Sequence, residues 1–556
     1  MHRPPARSAA CDAARRLTPV AVLALVVIAA SFAVRLALLD RQSYWIDELF
    51  SVDASAGTFG HVLTASATEV HPPFYPGLLW GWIQLGGSAG AHEVWTRLFS
   101  TVCAAVAVGV AHRSLRPVRL GTDVRWALTT ATAAAGAGMA YATETRSYAL
   151  LLAGSVGLTA ATVRVAVAAD GVTRRDRVAW AGWGLLAATT HLFGAVLVAG
   201  AAAVLAVATR RRGRPAAERV RSAVGRGLLG LAACLPQLAW LATGSLRPGF
   251  AADTAWIPEP GPADVGTLLT TTFASGGLAL HRDGFAWTDP TGAVLAALGA
   301  AAAVVVLVRV RRRAVAPAGA APDDAEPDDA EPDDAAPDDA APDDAAPEGT
   351  EPEGAADVGR AAAVLLALAV VVIVAALTAA RWRHVWTLRN LLVVTPALGW
   401  GTICLLAAAA GSLPPGGAPA RRVLAGTVIA LFGVALVPVA VDLHRPYKTD
   451  FRELVEQVAA ARAQSPDLAG SVIGRLPPAT WRAAEDDRDG SLYRQLTLES
   501  VASPDAVVRI RGPQVVIIYR RLLDPDLDRD AAALAGRLGP GCERVPLTGV
   551  GLVRCG

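Results

Sequence analysis

Long apolar runs separated by short polar stretches dominate the chain, and their lengths predict helices that cross a membrane. A helix needs about 20 apolar residues to span the hydrocarbon core. About eleven runs approach that length: 17–39, 94–111, 125–142, 147–169, 178–190, 192–209, 224–242, 291–309, 360–380, 389–410 and 422–441. The run 178–190 is short, and the two divisions after it shift by several residues with the choice of boundary. After Val441 the pattern turns polar and mixed. Asp450-Phe451-Arg452-Glu453 reads as a capped helix start. Ser471–Arg475 and Gln514–Arg520 read as strands, the second made almost wholly of β-formers. The fold class expected is therefore a mainly α polytopic membrane protein with a small C-terminal α/β domain, divided as 1–441 and 442–556.

Composition agrees with this pattern. The chain is 53% hydrophobic and 18% charged, with a mean hydropathy of +0.39, more apolar than a soluble chain of its size. A net charge of +2 gives no nucleic-acid signature. Residues 315–357 depart from both halves: Ala-Glu-Pro-Asp-Asp and Ala-Ala-Pro-Asp-Asp recur, which predicts a disordered acidic linker. The first run follows Arg15 and Arg16 as a signal peptide would, but its length favours a retained span. Cys11, Cys103, Cys234 and Cys404 lie in or beside spans and read as small apolar residues. Cys542 and Cys555 sit in the polar tail; outside the cytoplasm they would be able to pair, and sequence alone leaves this open.

Arginine distribution orients the spans. Arg15/Arg16, Arg113/Arg116/Arg119, Arg174/Arg175/Arg177, Arg210–Arg212 with Arg214, Arg309–Arg313, and Arg421/Arg422 alternate with the poorly basic segments 40–93, 143–146 and 243–290. The basic set belongs in the cytoplasm. An odd span count then puts the N-terminus and the acidic linker inside, and the C-terminal domain outside. The segment 381–389 breaks the rule, since it faces outward yet carries Arg381, Arg383 and Arg389.

Three polar clusters fall on this outward side. The first is the adjacent pair Asp47/Glu48 just after the first span, with His71 in the same loop, 40–93. That loop continues through Pro72-Pro73-Phe74-Tyr75 into the Trp-bearing stretch 76–85, which reads as a helix lying in the interface. The second cluster is Glu144-Thr145-Arg146-Ser147-Tyr148, and the third runs from Arg381 through Arg383 and His384 to Arg389-Asn390. Bland alternatives exist for each: a helix-end polar pair, a loop histidine, a local Glu144–Arg146 ion pair closing a turn, and an anchor for anionic lipid headgroups. Together the clusters suit one chemistry. A carboxylate takes a proton from an acceptor hydroxyl, and Arg and His groups receive a phosphate leaving group. The chain contains no P-loop and no strand-linked glycine fingerprint for a soluble nucleotide. A donor carried on a lipid phosphate fits an outward site beside the bilayer.

Trp45-Ile46-Asp47-Glu48 after the first span, His71-Pro72-Pro73-Phe74-Tyr75 in the first outer loop, and Glu144-Thr145-Arg146-Ser147-Tyr148 at a later turn resemble the GT-C superfamily of integral-membrane glycosyltransferases. The resemblance is strongest to family 39-like bacterial enzymes, relatives of protein O-mannosyltransferases. Lys448-Thr449-Asp450-Phe451-Arg452 is similar to bacterial members as well. It implies an inverting transfer of a sugar, mannose by this likeness, from a polyprenyl phosphate to an extracytoplasmic protein, glycolipid or glycan. By position Asp47 would be the catalytic base and Glu48 would assist acceptor or metal binding. Glu144, Arg146 and Tyr148 would shape the donor pocket. Arg383, His384 and Arg389 are assigned to the phosphate by charge and side alone. A divalent metal is a further option, with His71 and Asp47 or Glu48 as ligands, though no multi-ligand spacing marks it. The acidic repeat departs from the family. The rival classes are a transporter or lipid flippase, which would place ionisable groups at mid-membrane in repeated halves, and a non-catalytic scaffold.

Overall fold

The computed structural model describes residues 17–68, 72–168, 172–210, 216–245, 259–272, 353–382, 385–411, 417–444, 448, 450–473, 499–501, 512–518 and 526–556. In chain order the helices are α1 (Pro19–Leu38), α2 (Ile46–Ala54), α3 (Phe59–Thr68), α4 (Phe74–Gly86), α5 (Glu93–Ser114), α6 (Thr122–Ala134), α7 (Gly136–Tyr141) and α8 (Tyr148–Val167). They continue with α9 (Arg174–Thr190), α10 (Leu192–Arg210), α11 (Ala216–Ser245), α12 (Pro262–Thr271), α13 (Glu353–Ala380), α14 (Thr395–Gly411), α15 (Gly417–His444) and α16 (Phe451–Gln464). The chain is mainly helical, with a small C-terminal α/β region.

Among the described residues, six helical segments are long and apolar enough to cross a membrane: α1, α5, α8, α13, Asn390–Gly411 and α15. Leu192–Ala208 and Gly227–Trp240 are shorter apolar helices. The expected span 125–142 is instead two pieces, α6 and α7, because Ala135 is extended (ψ 132°). Gly136 and Gly138 there weaken the helix by about 1 kcal/mol each. The expected span 291–309 lies outside the described residues, as does the acidic linker up to residue 352. Its last residues differ from expectation, since α13 already begins at Glu353.

Helix α8 is the hub. Its membrane window is 94% buried, against 33% for α1 and 39% for α13 and α15, as befits a helix apolar all round and packed on every side. Small residues let α9 close onto it: a Cβ on Gly157 would meet Trp183 at 2.2 Å, and one on Gly154 would meet the Ala187 backbone at 3.0 Å. The outer helices turn Val and Leu outward, including Val22 and Val26 on α1, Val370 and Val374 on α13, and Val434 and Val437 on α15. Such a surface is stable against lipid.

The loop 40–93 is more ordered than its sequence suggests. The stretch after Pro72-Pro73 is helical as expected, forming α4, but α2 and α3 precede it. Trp82 and Trp95 stack at 4.7 Å and each indole N–H donates to the other's carbonyl, tying α4 to α5.

The C-terminal strands are β1 (Ala469–Ile473), β2 (Glu499–Val501), β3 (Gln514–Ile518), β4 (Cys542–Val545) and β5 (Gly551–Cys555), in the order β2-β1-β3-β5-β4. β1 runs parallel to β2 and β3, and β5 antiparallel to β3 and β4. From Val515 to Ile518 β3 is apolar, as suits a strand covered on both faces. Val515 and Ile517 pack with α16 and with Tyr44, Leu49 and Val52 of the loop 40–93. Val516 and Ile518 pack with α17 (Leu527–Leu538). Asp450 caps α16 by accepting from the Glu453 N–H, as its sequence predicts. Asp526 and Asp528 begin α17 as its N-cap residue and first-turn acid.

A disulfide joins Cys542 on β4 to Cys555 on β5, 13 residues apart. Closing a loop of that size stabilises a fold by about 3 kcal/mol. Cys542→Ser is therefore expected to lower the melting temperature of the full chain, and dithiothreitol to lower the wild type's but not the variant's.

Candidate active site

The helix junctions at one end of the bundle carry the polar clusters. They are α1/α2, the start of α5, α7/α8, α9/α10, the segment before α14, and the exit from α15. Of the described arginine-rich stretches, Arg113–Arg119 follows the other end of α5, and Arg174–Arg177 and Arg421/Arg422 lie at the other ends of α9 and α15. Trp45 is extended and α2 starts at Ile46, so Asp47 and Glu48 both occupy its first turn, where helix N–H groups favour negative charge. Adjacent residues on a helix point in different directions, and here they meet different fates.

Glu48 is buried completely. It accepts from Arg97 Nε at 2.8 Å and Nη2 at 2.9 Å, from Lys448 Nζ at 2.9 Å and from the Thr145 N–H at 2.8 Å. Burial alone would push its carboxyl up. The Arg97 and Lys448 charges and these hydrogen bonds outweigh it and hold the pKa down, at about 2. Arg97 also donates to the carbonyls of Leu39, Gln42 and Ser43. One guanidinium thus fixes the whole exit from the first span. Lys448 bridges Glu48 and Glu144, 3.6 Å from the latter. Burial pushes the Glu144 carboxyl up, and the Glu48 and Asp47 charges add to that against Lys448.

Asp47 keeps 21% of its side chain accessible. Its Oδ2 pairs with Arg389 Nη1 at 2.5 Å and lies 4.0 Å from Arg146 Nη2. Arg146 Nη1 donates to the Asp47 carbonyl and to Ser51 Oγ, both at 3.0 Å. Burial works against both arginines' charge, but Asp47 and Tyr148 outweigh it and raise their pKa values. Arg146 lies over the Tyr148 ring (5.9 Å) and Arg389 over Trp45 (5.8 Å). The sequence clusters around 47, 144–148 and 389, widely separated along the chain, therefore share one place. The alternative of Glu144 and Arg146 as a self-contained turn pair is not what their side chains do; Glu144 reaches Lys448 and Arg146 reaches Asp47.

Three residues of the site escaped the sequence reading. Arg97 and its ion pair were detectable as an unexplained charge inside an apolar run. Tyr141 packs on Tyr148 at 4.8 Å. His191, at the α9/α10 junction, has its ring 6.0 Å from Tyr148. Burial and then the Arg146 and Arg389 charges push its pKa down to about 3, so the ring is neutral. Its Nδ1 accepts from the Phe193 N–H at 3.2 Å, which places the ring proton on Nε2. A lone histidine between apolar helices gives no sequence signal. His71, Arg383 and His384 lie outside the described residues.

Among the described residues, no group of three or more His, Cys, Asp or Glu side chains comes together. Both carboxylates of the pair face guanidinium or ammonium groups. That donor set does not fit a divalent cation.

No protein-family model and no curated protein matches the chain. Among solved structures it is similar to ArnT from Cupriavidus metallidurans, in a form bound to undecaprenyl phosphate (14% identity, TM-score 0.49) and in the apo state (14% identity, TM-score 0.47). Each comparison covers 95% of this chain and 97% of the other.

Proposed function

We propose that the chain is a multi-pass membrane glycosyltransferase of the GT-C type, moving a sugar from a polyprenyl phosphate to a hydroxyl acceptor outside the cytoplasm. The observation that carries this is the meeting of a partly accessible carboxylate, Asp47, with two arginines, Arg146 and Arg389, at one end of an apolar bundle. A transporter's acids would sit at mid-membrane. Here they gather at span ends, where an amphipathic lipid donor and a polar acceptor meet.

In this mechanism the lipid phosphate enters beside Arg389 and Arg146. Sharing Arg389 with the phosphate frees an oxygen of Asp47 for the acceptor hydroxyl. Asp47 takes that proton as the acceptor oxygen bonds to C1 of the sugar. The C1–O bond to phosphate breaks, and polyprenyl phosphate leaves with its electron pair held by the arginines. Attack from the face opposite the phosphate inverts C1. Arg383 and His384 are kept as further phosphate contacts, His71 as a loop contact, and Glu144 and Tyr148 as walls of the donor pocket. Glu48, whose oxygens face Arg97, Lys448 and Thr145, is assigned a positioning role: it locks α2 so that Asp47 faces Arg389 and Arg146. Mannose is the sugar and a protein, glycolipid or glycan the acceptor, on the strength of the family resemblance. The cell membrane is the location, with the N-terminus inside and the disulfide-bearing C-terminal region outside.

The test is transfer of label from radiolabelled polyprenyl-phosphate mannose in membranes containing the full chain. Label entering an extracytoplasmic product with an inverted anomer is expected; none from any lipid-linked sugar would sink the proposal. Arg389→Gln should lower kcat by about 10²-fold, the scale of losing one charge-stabilising donor. Activity within twofold of wild type would remove Arg389 from phosphate stabilisation.

A further inference from the structure

A recess lies beside Arg146, one of the two arginines that face Asp47. Phe50 and Ser51 line it one helical turn after Asp47, together with Ser66 of α3, Tyr75 of α4, and Arg146 and Ser147 from the turn before α8. Asp47, Phe50 and Ser51 share a face of α2 by their spacing. Ser51, Ser66, Tyr75 and Ser147 bring hydroxyls to it, Phe50, Ala54 and Pro76 bring apolar surface, and among the described residues its lining contains one cation, Arg146, and no carboxylate. Arg146 Nη1 donates to both the Asp47 carbonyl and Ser51 Oγ, so the guanidinium that faces Asp47 also faces this recess. Ser66 is fully buried, and its hydroxyl has no hydrogen-bond partner. A buried hydroxyl without a partner is costly unless a ligand supplies one.

We infer that this recess holds the transferred sugar of the donor as a neutral, hydroxyl-bearing ring, with Ser66 hydrogen-bonded to a ring hydroxyl; the inference rests on the glycosyltransferase function proposed above. Serine and tyrosine hydroxyls both donate and accept, as ring hydroxyls do, while Phe50 and Tyr75 offer apolar faces. The sugar belongs beside Arg146 because it is one bond from the phosphate that Arg146 and Arg389 would hold. The same lining selects against an amino sugar, whose ammonium would meet Arg146 with no carboxylate among the lining residues to receive it.

The experiment measures binding by the purified full chain in nanodiscs to polyprenyl-phosphate mannose, to polyprenyl phosphate alone, and to a polyprenyl-phosphate amino sugar. In the wild type, mannose is expected to tighten binding about tenfold over polyprenyl phosphate, the worth of one or two hydrogen bonds. The amino sugar should give no such gain. Ser66→Leu, which fills the recess, should abolish the gain and leave the affinity for polyprenyl phosphate unchanged. If that variant no longer binds polyprenyl phosphate, Ser66→Ala, which removes only the hydroxyl, carries the test and should lose most of the gain. An equal gain in the Ser66 variants, or an equal gain from the amino sugar, overturns the inference. The two levels separate cleanly. A chain that moves no label but gains affinity from mannose through Ser66 contradicts the transferase function and keeps the recess; a chain that transfers but shows no Ser66-dependent gain does the reverse.

Discussion

Asp47→Asn is expected to cut sugar transfer by about 10²–10⁴-fold, the range for losing a general base, without unfolding the chain. The amide has the size of the carboxyl and α2 needs no charge there to form. Asp47 is 21% accessible and leans on Arg389 rather than on the core. Removing its charge also releases Arg389 from its resting partner, so polyprenyl phosphate should bind the variant at least as tightly as wild type. Loss of kcat with retained phosphate affinity is the signature to look for. A variant keeping more than half the wild-type kcat would remove Asp47 as the base.

The second large effect is structural and falls on the neighbouring acid. Arg97→Met leaves Glu48 buried with one of its two cations gone, and strips donors from the carbonyls of Leu39, Gln42 and Ser43. Breaking a buried pair from one side costs about 3–5 kcal/mol, because the remaining charge is stranded. Thermal unfolding of the full chain in nanodiscs should show a large drop. The double variant Glu48→Leu with Arg97→Met should recover part of it, since replacing a buried pair by apolar groups is often neutral. No coupling between the two substitutions would contradict the network. Acid should act on the same contacts. Glu48 has its pKa lowered in the fold, so its contribution is complete above the ordinary value of 4.5, shrinks as pH falls from there, and is gone below about 2. Glu48→Gln should lose that part of the acid sensitivity.

How far the sequence carries depends on what kind of information a position holds. Bilayer thickness sets span length, so α1, α5, α8, α13 and α15 are readable from hydropathy alone. The break at Ala135 is not, because alanine and glycine fit helix and bend alike and packing decides between them. In the C-terminal region, the Asp450 cap and the β-rich run at 514–518 follow from local chemistry. The burial of β3 between α17 and the loop 40–93 depends on distant partners. The site divides in the same way. Asp47, Glu144, Arg146 and Arg389 stand out because charges at span ends need a reason. That Asp47 and Glu48 point into different surroundings does not follow from their being adjacent. It takes Arg97, 49 residues on, and Lys448, 400 residues on, to claim Glu48. His191 carries no local mark at all; only the fold brings its ring to Tyr148.

The most direct measurement is an experimental structure of the full chain in a lipid nanodisc with polyprenyl phosphate bound. The phosphate is expected within hydrogen-bond reach of Arg389 and Arg146, with the Asp47 carboxylate beside it and open to an incoming hydroxyl. A phosphate bound at the arginine-rich end of the bundle, or an Asp47 turned out of the cavity that holds the phosphate, would contradict the account.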